Sequence, residues 1–273
     1  MKIKKYRYWW LFLIVIAIVL LGIVLVNKPI QKESEIAQHS QVEVQARYDY
    51  NLEHASVTNV HPFLRSVYFS KGKLAAACGT MVLDKSGLPS FIITANHLFS
   101  ETDPGTDFYD YHVLEPRRGF AYQGHLSRVV LDSMRTSLYS EGIQDIAFCY
   151  VGDANPISRT SKVQVSAVSP SPHYFSVNPV TPFSVTSVTT GEAFDIVGEM
   201  INSATNAFYV MLYESINGES GSGFWKNDEG GNKKGKLYVL SGDVSVSTQT
   251  RRELKIPTKY KRFSSLSAVE IKW

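Results

Sequence analysis

The sequence predicts an all-β body carried on one membrane-spanning helix, and three observations predict it. From about Ser56 onward, short β-branched and aromatic runs are divided by Gly, Pro, Asp and Ser, which is the texture of strands and turns. No long segment of helical period follows the first apolar stretch, so sandwich and barrel architectures lead over α/β. Residues 8–26 carry no charge and are long enough, at 1.5 Å per residue, to cross a bilayer core of ~30 Å.

In chain order, residues 1–7 form a basic tail in which Lys2, Lys4, Lys5 and Arg7 place the N-terminus on the cytoplasmic side. Tyr6, Tyr8, Trp9 and Trp10 anchor the start of the span at the membrane interface. A cleaved signal peptide is the competing reading. The apolar run exceeds the usual h-region of ~7–15 residues, and Val26-Asn27-Lys28-Pro29 is a poor cleavage site. We therefore expect a retained anchor through residues 8–26, a single-pass cytoplasmic membrane protein and an extracytoplasmic body. Residues 27–55 read as a polar stalk with little to bury.

Strands are expected within residues 66–69, 75–83, 91–94, 129–131, 146–151, 162–168, 194–197, 208–213 and 237–240. The turn-rich segment Gly152-Asp153-Ala154-Asn155-Pro156 halves the exported chain into domains over 56–152 and 153–273.

The formal charge of the 273-residue chain is +3, and four positive charges lie in the first ten residues, so the rest nets about −1. That balance argues against nucleic-acid binding, although residues 251–262 are locally basic. Cys78 and Cys149 permit at most one bridge and have no metal-ligand spacing. No His-Glu-x-x-His occurs, so neither a metal nor another cofactor is expected.

One stretch carries a chemical signal. Ile216-Asn217-Gly218-Glu219-Ser220-Gly221-Ser222-Gly223-Phe224 follows the β-prone residues 208–213 and reads as an exposed serine flanked by glycines. Such glycines let backbone N–H groups converge where an oxyanion would develop. Read alone, the stretch is equally a hairpin loop. Upstream, residues 78–83, the turn Asp84-Lys85-Ser86-Gly87 and residues 91–94 form a hairpin that leads into Ala95-Asn96-His97. Later, Gln144-Asp145-Ile146-Ala147 sets an acid at the start of an apolar strand, where a lone carboxylate is costly without a partner.

These three segments, Ile-Ile-Thr-Ala-Asn-His, Gln-Asp-Ile-Ala and Gly-Glu-Ser-Gly-Ser-Gly, resemble the signature segments of trypsin-like (chymotrypsin-fold) serine endopeptidases, in the same order and over residues 60–247. The resemblance implies two six-stranded antiparallel β-barrels and a protein or peptide substrate. It implies Ser220 as nucleophile, His97 as general base and Asp145 as the carboxylate that orients it, with the N–H groups of Gly218 and Ser220 as oxyanion hole. By the same resemblance Glu214, six residues before Ser220, stands where an acid selects Arg or Lys, although a solvated loop acid is the alternative for it. The departures are Asn96 for alanine, Glu219 before the serine, Ser222-Gly223 after it, and Leu98 where a cysteine would pair with one at Cys78. They motivate an alternative: an inactive trypsin-like scaffold serving as a membrane-anchored binding module.

Overall fold

The computed structural model describes residues 53–56, 58–70, 76–98, 109–115, 119–126, 145–149, 164–168, 177–203, 206–229, 231–244 and 247–273. The expected basic tail and membrane span, most of the stalk and the strand at 129–131 lie outside the described residues. Among the described residues, no helix is long and apolar enough to cross a membrane.

Six strands make the first sheet: β1 (Leu64–Ser70), β2 (Ala76–Leu83), β3 (Pro89–Thr94), β4 (Tyr109–Glu115), β5 (Gly119–Leu126) and β6 (Ala147–Cys149). Their order is β5-β4-β1-β2-β3-β6, antiparallel throughout. The β2–β3 hairpin turns where Asp84 predicts it, because Asp84 Oδ1 accepts the N–H groups of Ser86 and Leu88 at 2.8 and 3.0 Å. Alternate side chains of β1 and β2, among them Val67, Phe69, Ala77 and Met81, bury one face with Ile92, Tyr111 and Val113.

The second sheet contains β7 (Gln164–Val168), β8 (Val177–Ser187), β9 (Ala193–Ser203), β10 (Asn206–Met211), β11 (Gly223–Asn227), β12 (Lys234–Val244) and β13 (Phe263–Lys272). Its order is β10-β9-β8-β11-β12-β13-β7, and a further pairing of β10 with β13 closes a six-stranded barrel. Strand β13 makes closure possible. One of its edges runs along β12, while the other is divided between β10, at Ser264–Leu266, and β7, at Ala268–Lys272. A short helix, α1 (Thr248–Glu253), starts at Ser247, whose hydroxyl accepts the Thr250 N–H.

The expected six-stranded barrel is present in the second sheet, where β7 is an added strand on β13 outside the closed ring; the first six strands form an antiparallel sheet that is not closed among the described residues.

A shared core joins the sheets. Leu64, Val82, Phe91, Ile93 and Phe148 of the first pack with Trp225, Leu237, Val239, Val269 and Trp273 of the second. Trp273 is fixed within it by donating Nε1–H to the Leu83 carbonyl at 2.7 Å. Burying such aromatic surface at roughly 25 cal/mol per Å² makes this contact a large contributor to cohesion.

Candidate active site

Strand register explains why His97 meets Asp145. Strands β3 and β6 are antiparallel neighbours with Thr94 opposite Ala147. The chain leaving β3 and the chain arriving at β6 therefore share one edge, His97 three residues beyond Thr94 and Asp145 two before Ala147. His97 sits on a 3-10 turn, Asn96–Leu98. Asp145 takes it at two points, with Oδ1 accepting the His97 N–H at 2.8 Å and Oδ2 lying 2.5 Å from Nδ1.

A carboxylate only accepts, so the neutral imidazole carries its proton on Nδ1 and keeps the Nε2 lone pair outward. Its hydrogen bond to Asp145 raises the His97 pKa above 6.5; partial burial opposes that shift, and the Asp145 charge adds to it. Asp145 is itself held from the second sheet, by donating its N–H to Ser267 Oγ on β13 at 3.0 Å.

Ser220 lies on the loop between β10 and β11, and several contacts fix that loop. Glu219 is buried, its carboxylate accepting the Tyr213 hydroxyl at 2.7 Å and the Ile216 N–H at 2.8 Å. The Ser220 carbonyl accepts the Cys78 N–H at 2.8 Å, and the Cys78 thiol donates to the Gly218 carbonyl at 3.4 Å. Gly218 and Gly221 adopt φ of 85° and 89°, which side chains disfavour. At Gly221 space forbids one as well: a Cβ would stand 2.0 Å from the Cys78 carbonyl oxygen and 2.2 Å from Thr94 Oγ1. The residue after Ser220 thus lies against Thr94, three residues before His97.

The N–H groups of this loop divide in a telling way. Those of Glu219, Gly221 and Ser222 donate to the carbonyls of Ile216, Leu240 and Glu219. Among the described residues, those of Gly218 and Ser220 meet no acceptor. Two unspent donors, one on Ser220 and one two residues before it, are a precondition for holding an oxyanion there. Ser220 Oγ, for its part, makes no hydrogen bond to His97 here; contacts of this kind are often long before substrate binds.

Glu214 lies outside this arrangement. Its exposed carboxylate accepts the N–H of Lys261 at 2.7 Å and that of Arg262 at 3.3 Å, and these bonds hold its pKa below 4.5. The pocket beside Ser220 is lined instead by Ser215, Asn217, Gly218, Gly242 and Asp243, among others. Cys78 and Cys149 are buried thiols that form no disulfide with each other. Cys149 is level with Ile92 and Ile92 with Met81, so Cys149 stands across β3 and three residues along from Cys78. Among the described residues, no group of three His, Cys, Asp or Glu side chains could hold a metal.

Sequence reasoning missed Ser267 and Asp243. Both belong to stretches whose strand character is concealed by serine and glycine.

No protein-family model matches the chain, and no curated protein matches it. Among solved structures it is similar to a thermostable serine protease, AL20, from an extremophilic microorganism, at 12% identity and a TM-score of 0.40, covering 75% of this chain and 90% of that one. It is also similar to the protease Anisep from Arthrobacter nicotinovorans, at 11% identity and a TM-score of 0.39, covering 77% of this chain and 91% of that one.

Proposed function

We propose that this protein is a trypsin-like serine endopeptidase acting through Ser220, His97 and Asp145, and held by residues 8–26 in the cytoplasmic membrane with its body outside. The observation that carries the reading is the two-point hold of Asp145 on His97, which fixes the ring and leaves Nε2 as a base. In the proposed reaction Ser220 Oγ attacks the peptide carbonyl and its proton passes to His97 Nε2. The oxyanion accepts the free N–H groups of Gly218 and Ser220. The C–N bond then breaks as His97 protonates the leaving amine, and water repeats the sequence to free the acyl group.

A fluorophosphonate probe tests the assignment. Covalent labelling of the wild-type chain, abolished in Ser220→Ala, is expected; labelling that persists in Ser220→Ala removes Ser220 as nucleophile. The second reading, a scaffold without turnover, draws on the missing hydrogen bond between Ser220 and His97, and an unlabelled but folded wild type would favour it. For the anchor, the mature protein should fractionate with membranes and be digested by protease added from outside. A soluble form beginning near residue 27 would instead mark a cleaved signal peptide.

A further inference from the structure

The pocket beside Ser220 has one wall from the loop that leads into the serine, at Ser215, Asn217 and Gly218, and another from the end of β12, at Gly242 and Asp243. Its one charged lining residue is Asp243. Asp243 Oδ1 accepts the Ser215 hydroxyl at 2.5 Å, so the carboxylate is fixed to the wall that carries the nucleophile. Oδ2 accepts from Arg262 Nη1 at 3.2 Å. Arg262 does not line the pocket, and its side chain is 69% exposed, so it reaches Asp243 from the solvent side. Exposed ion pairs of this kind are weak and exchange readily. The Arg262 main chain is held separately, through its N–H to Glu214, so the guanidinium can leave without unfolding the loop. A Cβ at Gly242 would meet nothing within 4 Å, so the rim is open at that point.

We infer that Asp243 is the specificity-determining residue of this pocket, that it selects a lysine or arginine side chain next to the cleaved bond, and that Arg262 is a built-in competitor for the same carboxylate. The inference rests on the proposed protease reading for the words "cleaved bond", but the cation pocket stands on its own geometry. A carboxylate in a partly desolvated wall lined by a hydroxyl and an amide favours a cation over a neutral isostere, because the isostere leaves the charge unpaired. An acidic side chain would meet Asp243 as a like charge. Glu214 has no part in the selection, its carboxylate being engaged by the N–H groups of Lys261 and Arg262.

The test uses the full chain in detergent and two peptide amide substrates that differ only in arginine against citrulline at the residue before the cleaved bond. Arginine should be favoured by about tenfold or more in kcat/KM, and Asp243→Asn should reduce that preference to within about threefold while fluorophosphonate labelling persists. Glu214→Gln should keep the preference, and Arg262→Gln should raise kcat/KM for the arginine substrate by about two- to fivefold as the competitor is lost. A labelled wild type with no arginine preference, or a preference that survives Asp243→Asn, overturns the inference. A parallel binding measurement on Ser220→Ala, with N-acetyl-arginine amide against N-acetyl-citrulline amide, separates this inference from the protease reading. Tighter binding of the arginine amide, lost in Asp243→Asn, supports the pocket even where labelling fails. Equal binding of the two amides counts against it.

Discussion

His97 stands on an exposed turn with its ring 2.5 Å from a carboxylate, whereas His61 is 1% exposed among Phe63, Trp225 and Trp273. At His61 the ring stacks on Trp273 at 4.6 Å, Nδ1 accepts the Phe63 N–H, and Nε2 donates to the Asn232 carbonyl. Both nitrogens are satisfied only while the ring is neutral. Burial pushes the His61 pKa down to about 4, with the Arg65 charge adding to the shift and the Asn232 carbonyl opposing it. The same side chain is thus tuned upward in one place and downward in the other. The difference lies in whether a carboxylate or an apolar wall faces the ring. The carboxylate favours the charged ring at His97, and the apolar wall keeps His61 neutral.

The largest expected effect falls on the exposed histidine. Asp145→Asn keeps the shape but replaces an acceptor that fixes the Nδ1 proton, so turnover should fall on the order of 10⁴-fold, the cost known for this change in trypsin-type triads. Its stability, read by denaturant unfolding, should change far less. Turnover within a few-fold of wild type would leave Asp145 as an ordinary strand-edge acid.

At His61 the expected effect is on folding. Trp273→Ala removes the stacking partner and the hydrogen bond to Leu83, and should cost about 3–5 kcal/mol of stability. The same substitution hydrates His61, so its pKa should climb back toward 6.5, which NMR titration of the ring would read. A pKa still near 4 in the variant would show that Trp273 is not the wall responsible.

Wild-type stability should also depend on acid. A histidine whose folded pKa lies below 6.5 contributes stability that is complete above pH 6.5 and is lost as pH falls toward 4. A shift from 6.5 to about 4 corresponds to about 3 kcal/mol over that window. His61→Asn, which retains an acceptor for the Phe63 N–H but does not titrate, should flatten this part of the profile. An equally steep loss in His61→Asn would assign the acid sensitivity to other groups.

The contrast between the two histidines also marks what sequence could disclose. His97, Asp145 and Ser220 each lie beside short strands whose apolar runs are legible, and β2, β3, β6, β9, β10 and β12 fall where those runs predict them. Strand β8 was concealed by Pro179 and Pro182, which sit where its register with β9 breaks, between Pro179 and Phe183. Strand β13 was concealed by Ser264, Ser265 and Ser267, all buried, because a closed barrel next to a second sheet leaves no polar face to alternate with. His61 gave no local signal whatever. Its partners, Trp225, Asn232 and Trp273, are distant in the chain, and only tertiary packing makes it a core residue.

The smallest expected effect is a shift along the pH axis. Proposed as the base, His97 must be neutral to accept the Ser220 proton, so kcat/KM should rise with pH. The Asp145 hydrogen bond stabilises the charged ring, and the rising limb should therefore lie above pH 6.5. For folding the sign is the reverse of that at His61: the pairing stabilises fully below pH 6.5 and the contribution is lost as pH rises through the raised value. His97 is 46% exposed on its side chain, so solvent screens this contribution and the stability change should be small. In the residual activity of Asp145→Asn the limb should move to lower pH, since a neutral amide no longer favours the imidazolium. His61→Asn should leave the limb in place. A limb that moves with His61 and not with Asp145 would reverse the roles assigned to the two histidines.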